Sequence, residues 1–389
     1  MDGLKDRAAI VGIGATEFSK NSGRSELQLA LESTTAALAD AGLAPEDVDG
    51  IATYTMDNNP EVEVIRNLGG KGLKFFSRAP YGGGGACAPI LHAAMAVATG
   101  VANVVVCYRA LNERSEYRFG RPQAYQSRTT DGVLHYYQTA LHGFMTPAAW
   151  VGMGMRRYMH QTGTTADDFA NVAISARKHA STNPKAIFYG RPLSRDEYMA
   201  SRMVVDPFRL FDCCQESDGS VALVITSAER AKHLKQKPAL IRAAALSSPE
   251  GLVSLADYYT DDIALHDETH FLATQMYAMG RLTPKDIQAA IIYDHFGPIV
   301  MPTLEALGFC KRGEAKDFIK NGNIEVGGAM PVNTNGGLVG EGYIHGMNGI
   351  AEAVRQVRGT AANQVANVRN VVVTAASGFP TSGLILAAA

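Results

Sequence analysis

Asn333-Thr334-Asn335-Gly336-Gly337-Leu338-Val339-Gly340-Glu341-Gly342-Tyr343-Ile344-His345-Gly346-Met347-Asn348-Gly349 decides the reading of this chain. Two adjacent glycines and a short spacer lead into G-x-x-x-G-x-x-G, which runs on into Ile350-Ala351-Glu352-Ala353-Val354. Without Cβ atoms, such a backbone can approach both itself and a ligand closely. The apolar residues that follow recur at helical spacing, so the stretch reads as a glycine-rich loop opening a helix.

The rest of the composition bounds what that loop can serve. A chain of 389 residues, 46% hydrophobic and 19% charged, has room for two domains or one large duplicated fold. Its net charge of −2 offers no electrostatic case for nucleic acid or an anionic membrane. No apolar run reaches membrane-spanning length, and Met1-Asp2-Gly3-Leu4-Lys5-Asp6-Arg7 lacks a secretory pattern. The cysteines, Cys87, Cys107, Cys213, Cys214 and Cys310, are odd in number and scattered, which argues against a disulfide framework and for the reducing cytoplasm.

An internal duplication is visible. Leu43-Ala44-Pro45-Glu46-Asp47-Val48-Asp49-Gly50-Ile51-Ala52-Thr53-Tyr54 is echoed by Leu282-Thr283-Pro284-Lys285-Asp286-Ile287-Gln288-Ala289-Ala290-Ile291-Ile292-Tyr293, each a helical L-x-P-x-D turn followed by a strand. Asn103-Val104-Val105-Val106-Cys107 is echoed by Asn370-Val371-Val372-Val373-Thr374, in the same order. Ordered echoes predict two similar α/β halves, 1–231 and 238–389, joined by a charged segment ending in Pro238. The first half is longer. Its Tyr-, His-, Arg- and Met-rich segment from about Leu111 to Arg209 reads as an insertion with helices at Pro147 to His160 and Thr165 to His179.

Several motifs invite chemistry and have a plainer reading. Val11-Gly12-Ile13-Gly14-Ala15-Thr16-Glu17 fails the dinucleotide fingerprint at Glu17 and reads as a strand-to-loop turn. His266-Asp267-Glu268-Thr269-His270 lacks the zincin glutamate after its first histidine and any third ligand, so it reads as a solvated helix face, with no metal expected. Cys213-Cys214-Gln215-Glu216-Ser217-Asp218-Gly219 reads as a tight turn feeding a buried strand rather than a reactive thiol pair. Asn183-Pro184 is a turn signal. Pro80-Tyr81-Gly82-Gly83-Gly84-Gly85-Ala86-Cys87-Ala88 precedes an amphipathic helix, with Cys87 expected one turn inside it as a small buried hydrophobe.

Together these blocks resemble the thiolase superfamily along essentially the whole chain, most closely its sterol-carrier or lipid-transfer branch. That branch carries G-H-P-x-G-x-x-G where Tyr343 and Ile344 stand, C-C-x-x-S-D-G at Cys213, an Asn-Pro at Asn183, and H-D-x-F where Tyr293-Asp294-His295-Phe296 stands. The resemblance implies a duplicated fold: two α/β halves in a five-layer sandwich, with a loop domain covering the site and helping to bind coenzyme A. Counting back from Gly100 puts the nucleophilic cysteine of thiolases at Gly83. The second catalytic cysteine falls in Ala375-Ala376-Ser377-Gly378, where there is none. Both active-site histidine slots hold tyrosines, Tyr293 and Tyr343. Without a nucleophile there is no acyl-cysteine, and the chain is not expected to be a thiolase. Backbone N–H groups at Gly83 and Gly378 remain candidate oxyanion donors.

With acyl transfer removed from a thiolase, the resemblance implies that what remains is a coenzyme A thioester site that stabilises an enolate. Retro-aldol cleavage of a β-hydroxyacyl thioester needs that enolate and no cysteine. Tyrosines suit it, with His295 or His345 as auxiliary proton relays, because a phenol's ordinary pKa of about 10 calls for help. The pattern resembles the thiolase-fold aldolases of bacterial steroid side-chain degradation, whose tyrosine pair falls on Tyr293 and Tyr343. By that resemblance the substrate is 17-hydroxy-3-oxo-pregn-4-ene-20-carboxyl-CoA, the products are androstenedione and propionyl-CoA, and coenzyme A enters only as part of the substrate, with no bound cofactor. The alternatives are an aldolase on a longer bile-acid side chain releasing acetyl-CoA, or a non-catalytic acyl-CoA or lipid-binding scaffold. The resemblance also implies a homodimer, with an edge strand around Val104 to Val106 near its two-fold. It implies as well an OB-fold and zinc-ribbon partner, fused or bound to a steroid enoyl-CoA hydratase.

Overall fold

Runs of β-branched and small apolar residues become strands, and glycines and prolines punctuate them. The protein is seen in a computed structural model that describes residues 3–79, 82–118, 120–121, 139–250, 262–264, 267–375 and 381–389. In chain order the strands are β1 (Ala8–Ala15), β2 (Gly50–Tyr54), β3 (Phe75–Ala79), β4 (Val104–Asn112), β5 (Met203–Val205), β6 (Phe208–Arg209), β7 (Asp218–Ser227), β8 (Ala239–Ser247), β9 (Ala289–Ile291), β10 (Asn370–Ala375) and β11 (Thr381–Ala388). Apart from the β5–β6 ribbon they form one mixed sheet, β3-β2-β4-β7-β1-β8-β11-β10-β9.

That order reads as a mirror about the antiparallel β1–β8 contact, where Ala9 faces Leu240. On one side β1-β7-β4-β2 runs antiparallel, antiparallel, parallel; on the other β8-β11-β10-β9 does the same. The echoes fall on matching elements: 3₁₀ turns at Pro45–Asp47 and Pro284–Asp286 lead into β2 and β9, and the valine runs are β4 and β10.

Alternation along the strands sorts the layers. Val105, Cys107 and Leu111 of β4, with Val371 and Val373 of β10, pack into a central core that also holds Ile90 and Ala94 of the helix Ala88–Ala98 and Ile350 and Val354 of the helix Met347–Arg358. The opposite faces of the two sheet halves are covered separately. Leu29 and Leu38 of the helix Glu26–Ala41 lie over one, Leu272 and Met276 of the helix Asp267–Gly280 over the other. Helices, sheet, central helices, sheet and helices give the five layers.

Some expectations change in detail. Gly12 and Gly14 lie inside β1 rather than in a turn. A Cβ on either would stand 2.1 Å from a carbonyl oxygen of the Glu26–Ala41 helix, Ala37 and Ser33 respectively, so the glycines serve helix-on-strand packing. β4 is interior, between β2 and β7, so Val104 to Val106 form no edge; the edge strand of the first half is β3, with Phe76 65% exposed. The insertion's helices run Pro147–Thr162 and Ala166–Thr182, started by Thr146 and Thr165, whose side chains accept from Ala149 and Asp168 N–H. Among the described residues no helix is long and apolar enough to cross a membrane.

Candidate active site

Tyr293 stands two residues beyond β9, and Tyr343 stands in the loop before the Met347–Arg358 helix. The fold brings their hydroxyls to 2.8 Å, with the rings close to perpendicular. Both are buried, 5% and 8% exposed, and burial is the main reason both phenols are held above their ordinary pKa. At neutral pH the pair is therefore two neutral phenols sharing a hydrogen bond.

Gly83 sits directly against this pair. A Cβ there would lie 1.7 Å from Tyr293 Oη and 2.4 Å from Cζ, so the hydroxyl fills the volume a side chain at 83 would need. Gly346, at φ +83°, gives way in the same fashion: its Cβ would meet the Tyr293 ring at 2.9 Å. Gly83–Gly85 form a separate 3₁₀ turn, so the α-helix starts only at Ala88 and Cys87 caps it rather than lying one turn inside. Cys87 is buried, its thiol pushed up to about 12 by burial, and its N–H donates to Ser382 Oγ at 3.1 Å. The N–H groups of Gly85 and Ala86 are likewise engaged, by the Gly82 and Gly83 carbonyls. Gly378 lies outside the described residues.

The two candidate relays differ. The His295 ring packs on Tyr293 with centroids 5.2 Å apart. His345 stands against the Tyr343 ring, also at 5.2 Å, in left-handed backbone at φ +46°. Its Nδ1 accepts from Arg109 Nε at 3.2 Å, and burial, then the Arg109 charge, hold it well below the ordinary histidine pKa. His345 is thus a neutral imidazole whose Nδ1 is an acceptor.

Arg109 was not singled out from the sequence. It lies on β4, 1% exposed, and Nη1 reaches Asp57 Oδ2 at 3.1 Å, while Tyr108 donates to Asp57 Oδ1 at 3.0 Å. A buried charge needs a partner, and an arginine inside Val104-Val105-Val106-Cys107-Tyr108-Arg109-Ala110-Leu111 is the signal that could have found it.

The motifs without chemistry hold the tyrosine loops in place. Cys214 N–H donates to the His295 carbonyl at 3.0 Å, Gln215 N–H to the Leu338 carbonyl at 2.9 Å, and Ser217 Oγ accepts from Tyr343 N–H at 3.2 Å. The Cys213-to-Ser217 segment is therefore a bracket spanning both loops, and the Cys213 thiol is pushed up to about 12 by burial. Asn333 clamps the other side, accepting from Ile292 N–H at 2.8 Å and donating to its carbonyl at 2.9 Å. Asp294 Oδ2 would be 2.0 Å from a Cβ on Gly337, so the paired glycines accommodate that carboxylate. Asn183 does more than turn the chain: it donates to the Asn335 carbonyl at 3.0 Å and to buried Glu341 at 3.1 Å. His270 is exposed, with Nδ1 3.3 Å from the Ala306 carbonyl, and His266 lies outside the described residues. Among the described residues no group of three or more His, Cys, Asp or Glu could hold a metal ion.

The pattern described as thiolase C-terminal domain-like matches residues 258–386. A steroid side-chain-cleaving aldolase of Thermomonospora curvata is 57% identical over 389 residues, all of both chains. The chain therefore belongs to the family of thiolase-fold steroid side-chain aldolases. A 17-hydroxy-3-oxo-4-pregnene-20-carboxyl-CoA lyase of Mycobacterium tuberculosis is 56% identical, over 98% of this chain and all of that one. A solved Ltp2-ChsH2(DUF35) aldolase structure superposes on this aldolase-family chain with a TM-score of 0.94 at 57% identity, covering 99% of it and 98% of the other.

Proposed function

We propose that the protein is a carbon–carbon lyase, and not a thiolase, that cleaves a β-hydroxyacyl-CoA steroid side chain by a retro-aldol reaction. Its substrate on this reading is 17-hydroxy-3-oxo-pregn-4-ene-20-carboxyl-CoA, and its products are androstenedione and propionyl-CoA. One observation carries the reading: two buried tyrosine hydroxyls meet at 2.8 Å, and that of Tyr293 fills the space a side chain at position 83 would occupy. A scaffold that had only lost its catalytic groups has no need of two converging phenols.

The pair balances the protons of the reaction. The tertiary hydroxyl gives its proton to Tyr293 Oη as the bond between ring and side chain breaks. Tyr293 passes its own proton to Tyr343, and Tyr343 gives one to the α-carbon of the departing thioester enolate. The alcohol becomes a ketone, the enolate becomes an acyl-CoA, and both tyrosines end neutral. Because burial disfavours a free phenolate at either residue, the transfers run together rather than through a stored charge. His345 acts as a neutral prop for the Tyr343 ring, and Arg109 fixes its tautomer.

The OB-fold and zinc-ribbon partner, of the DUF35 kind seen with the aldolase of known structure, belongs to this proposal. So do its association with a hydratase, a homodimer built on an edge strand, the halves 1–231 and 238–389, and a cytoplasmic setting. The test is to incubate the purified chain, with and without that partner, with the steroid acyl-CoA and to weigh the products. A 17-ketosteroid and propionyl-CoA are expected. Intact substrate after incubation of the folded complex would overturn the reading.

A further inference from the structure

Arg109 and Leu111 stand at alternate positions of β4 and so share one side of it, and Glu113 follows in the turn just beyond the strand's end at Asn112. There they line a pocket of about 240 Å³ together with Glu26, Met56 and Asn58. The other polar groups in that wall are already bound. Glu26 Oε1 accepts from Asn112 N–H at 3.1 Å and Oε2 from Asn58 at 2.7 Å, and Arg109 is held by Asp57 and His345. Glu113 differs: it is 2% exposed, and its Oε2 has no hydrogen-bond partner among the described residues. A buried carboxyl oxygen left without a partner is costly unless something else fills the place.

Two of the pocket's residues are linked to the tyrosine pair through one intermediate each. The Ser217 N–H is near enough to Glu113 to favour its anion, and the Ser217 hydroxyl accepts from the Tyr343 N–H at 3.2 Å. Arg109, in the same wall, holds His345 against the Tyr343 ring. An ionised Glu113 would raise both Tyr293 and Tyr343, which places it within electrostatic reach of the pair.

We propose that Glu113 is a third catalytic residue, whose buried carboxylic acid, in the wall of this pocket, turns toward a bound substrate and donates to the thioester carbonyl oxygen, holding the charge that gathers there as the carbon–carbon bond breaks. The inference rests on the lyase reading above. The groups around Glu113 decide its form. Burial and the neighbouring Glu216 carboxylate favour the neutral acid; the Ser217 N–H, Lys20 and Arg109 favour the anion; the first two prevail and push it up to about 8. Cys214, also close by, is itself held neutral by burial. A neutral carboxylic acid donates to an oxyanion, whereas a carboxylate would repel it. The tyrosine relay is proton-neutral, so no base is needed at this position.

The experiment uses the full chain with its partner, starting with cleavage by the wild type, which tests the lyase reading by itself. Glu113→Gln keeps an N–H donor of the same shape; Glu113→Ala removes it. Glu113→Gln should stay within about tenfold of wild-type kcat, and Glu113→Ala should lose about 10²–10³-fold. Wild-type turnover should fall as pH rises through about 8, where the acid ionises, and that alkaline limb should vanish in Glu113→Gln. Infrared difference spectra taken on either side of that pH should show a carboxylic acid band that Glu113→Gln lacks, whether or not substrate is turned over. The proposal is overturned if folded Glu113→Ala turns over normally, if Glu113→Gln is as slow as Glu113→Ala, or if the alkaline limb or the band survives in Glu113→Gln. A wild type that binds but does not cleave removes the lyase reading, and this proposal with it.

Discussion

Gly83→Ala adds a single methyl group at the point where the site has no room. Its Cβ would lie 1.7 Å from Tyr293 Oη, while atoms in ordinary contact stand about 3.5–4 Å apart. The phenol must therefore retreat by roughly 2 Å or the Gly-rich turn must open by as much. Either movement stretches the 2.8 Å contact with Tyr343 beyond hydrogen-bond range. Misplacing a reacting group by ~1 Å can cost ~10²-fold in rate, so turnover should fall by at least about 10²-fold. The stability cost should be that of overpacking, about 1–3 kcal/mol. Alanine is otherwise acceptable here, because Gly83 is not among the positive-φ glycines.

Two measurements separate this from general damage: steady-state turnover on the steroid acyl-CoA, and urea unfolding of Gly83→Ala in wild-type and Tyr293→Ala backgrounds. With the ring truncated the methyl has space, so its stability cost should shrink, giving a coupling of roughly 0.5–3 kcal/mol between the two sites. Wild-type turnover in Gly83→Ala, or equal costs in the two backgrounds, would show that the Tyr293 hydroxyl does not occupy this space.

Tyr293→Phe and Tyr343→Phe remove only hydroxyls, and each should lower turnover by roughly 10²–10⁴-fold in a protein that still melts cooperatively; kinetics of the double variant should show less than the summed loss, since both serve one proton path. Cys87→Ala should keep its activity and show only a packing cost in thermal unfolding, because the thiol is buried and protonated; a loss of several orders of magnitude would put the nucleophile back at Cys87. Arg109→Met leaves Asp57 buried without its cation and should cost about 3–5 kcal/mol in urea unfolding, much of it recovered in Arg109→Met/Asp57→Asn. His345 and His179 are both held below 6.5 in the folded protein. The unfolded chain therefore takes up their protons first, and the thermal midpoint should decline as pH falls below about 6.5, less so in His345→Gln.

The sequence made the architecture legible because the echoes are local. A Pro-Xaa-Asp turn and a valine run carry their structure with them, and their order repeats. Tyr293 and Tyr343 were legible as substitutions in a known frame, although nothing local fixes the distance between residues fifty positions apart. What stayed hidden was long-range. Arg109 and His345, or Ser217 and Tyr343, meet only after the sheet has formed. Motifs dismissed as turns proved to be fastenings, because a side chain that caps its own turn and one that grips a distant loop look the same in one dimension. Tyr54 and Tyr293 illustrate the limit. They occupy matching positions in the echo, yet Tyr54 donates to the Ala86 carbonyl at 2.9 Å and is wholly buried, whereas Tyr293 finds Tyr343.

The departures from the thiolase pattern are not independent losses. With Tyr293 placed as it is, any side chain at 83 collides with its hydroxyl, and with a cysteine at 83 the phenol could not take this position. The absent nucleophile and the acquired phenol are therefore one steric event counted at two positions. Gly346 belongs to the same event, since it yields to the other edge of the Tyr293 ring. A site that had drifted after losing its cysteine would have no reason to fill the vacated volume with a hydroxyl pointed at a second hydroxyl. The exchange puts a phenol where the thiolase pattern has the thiol that holds an acyl chain covalently. On the proposed reading, a site that splits a β-keto thioester by acyl transfer thereby becomes one suited to splitting a β-hydroxy thioester by proton transfer.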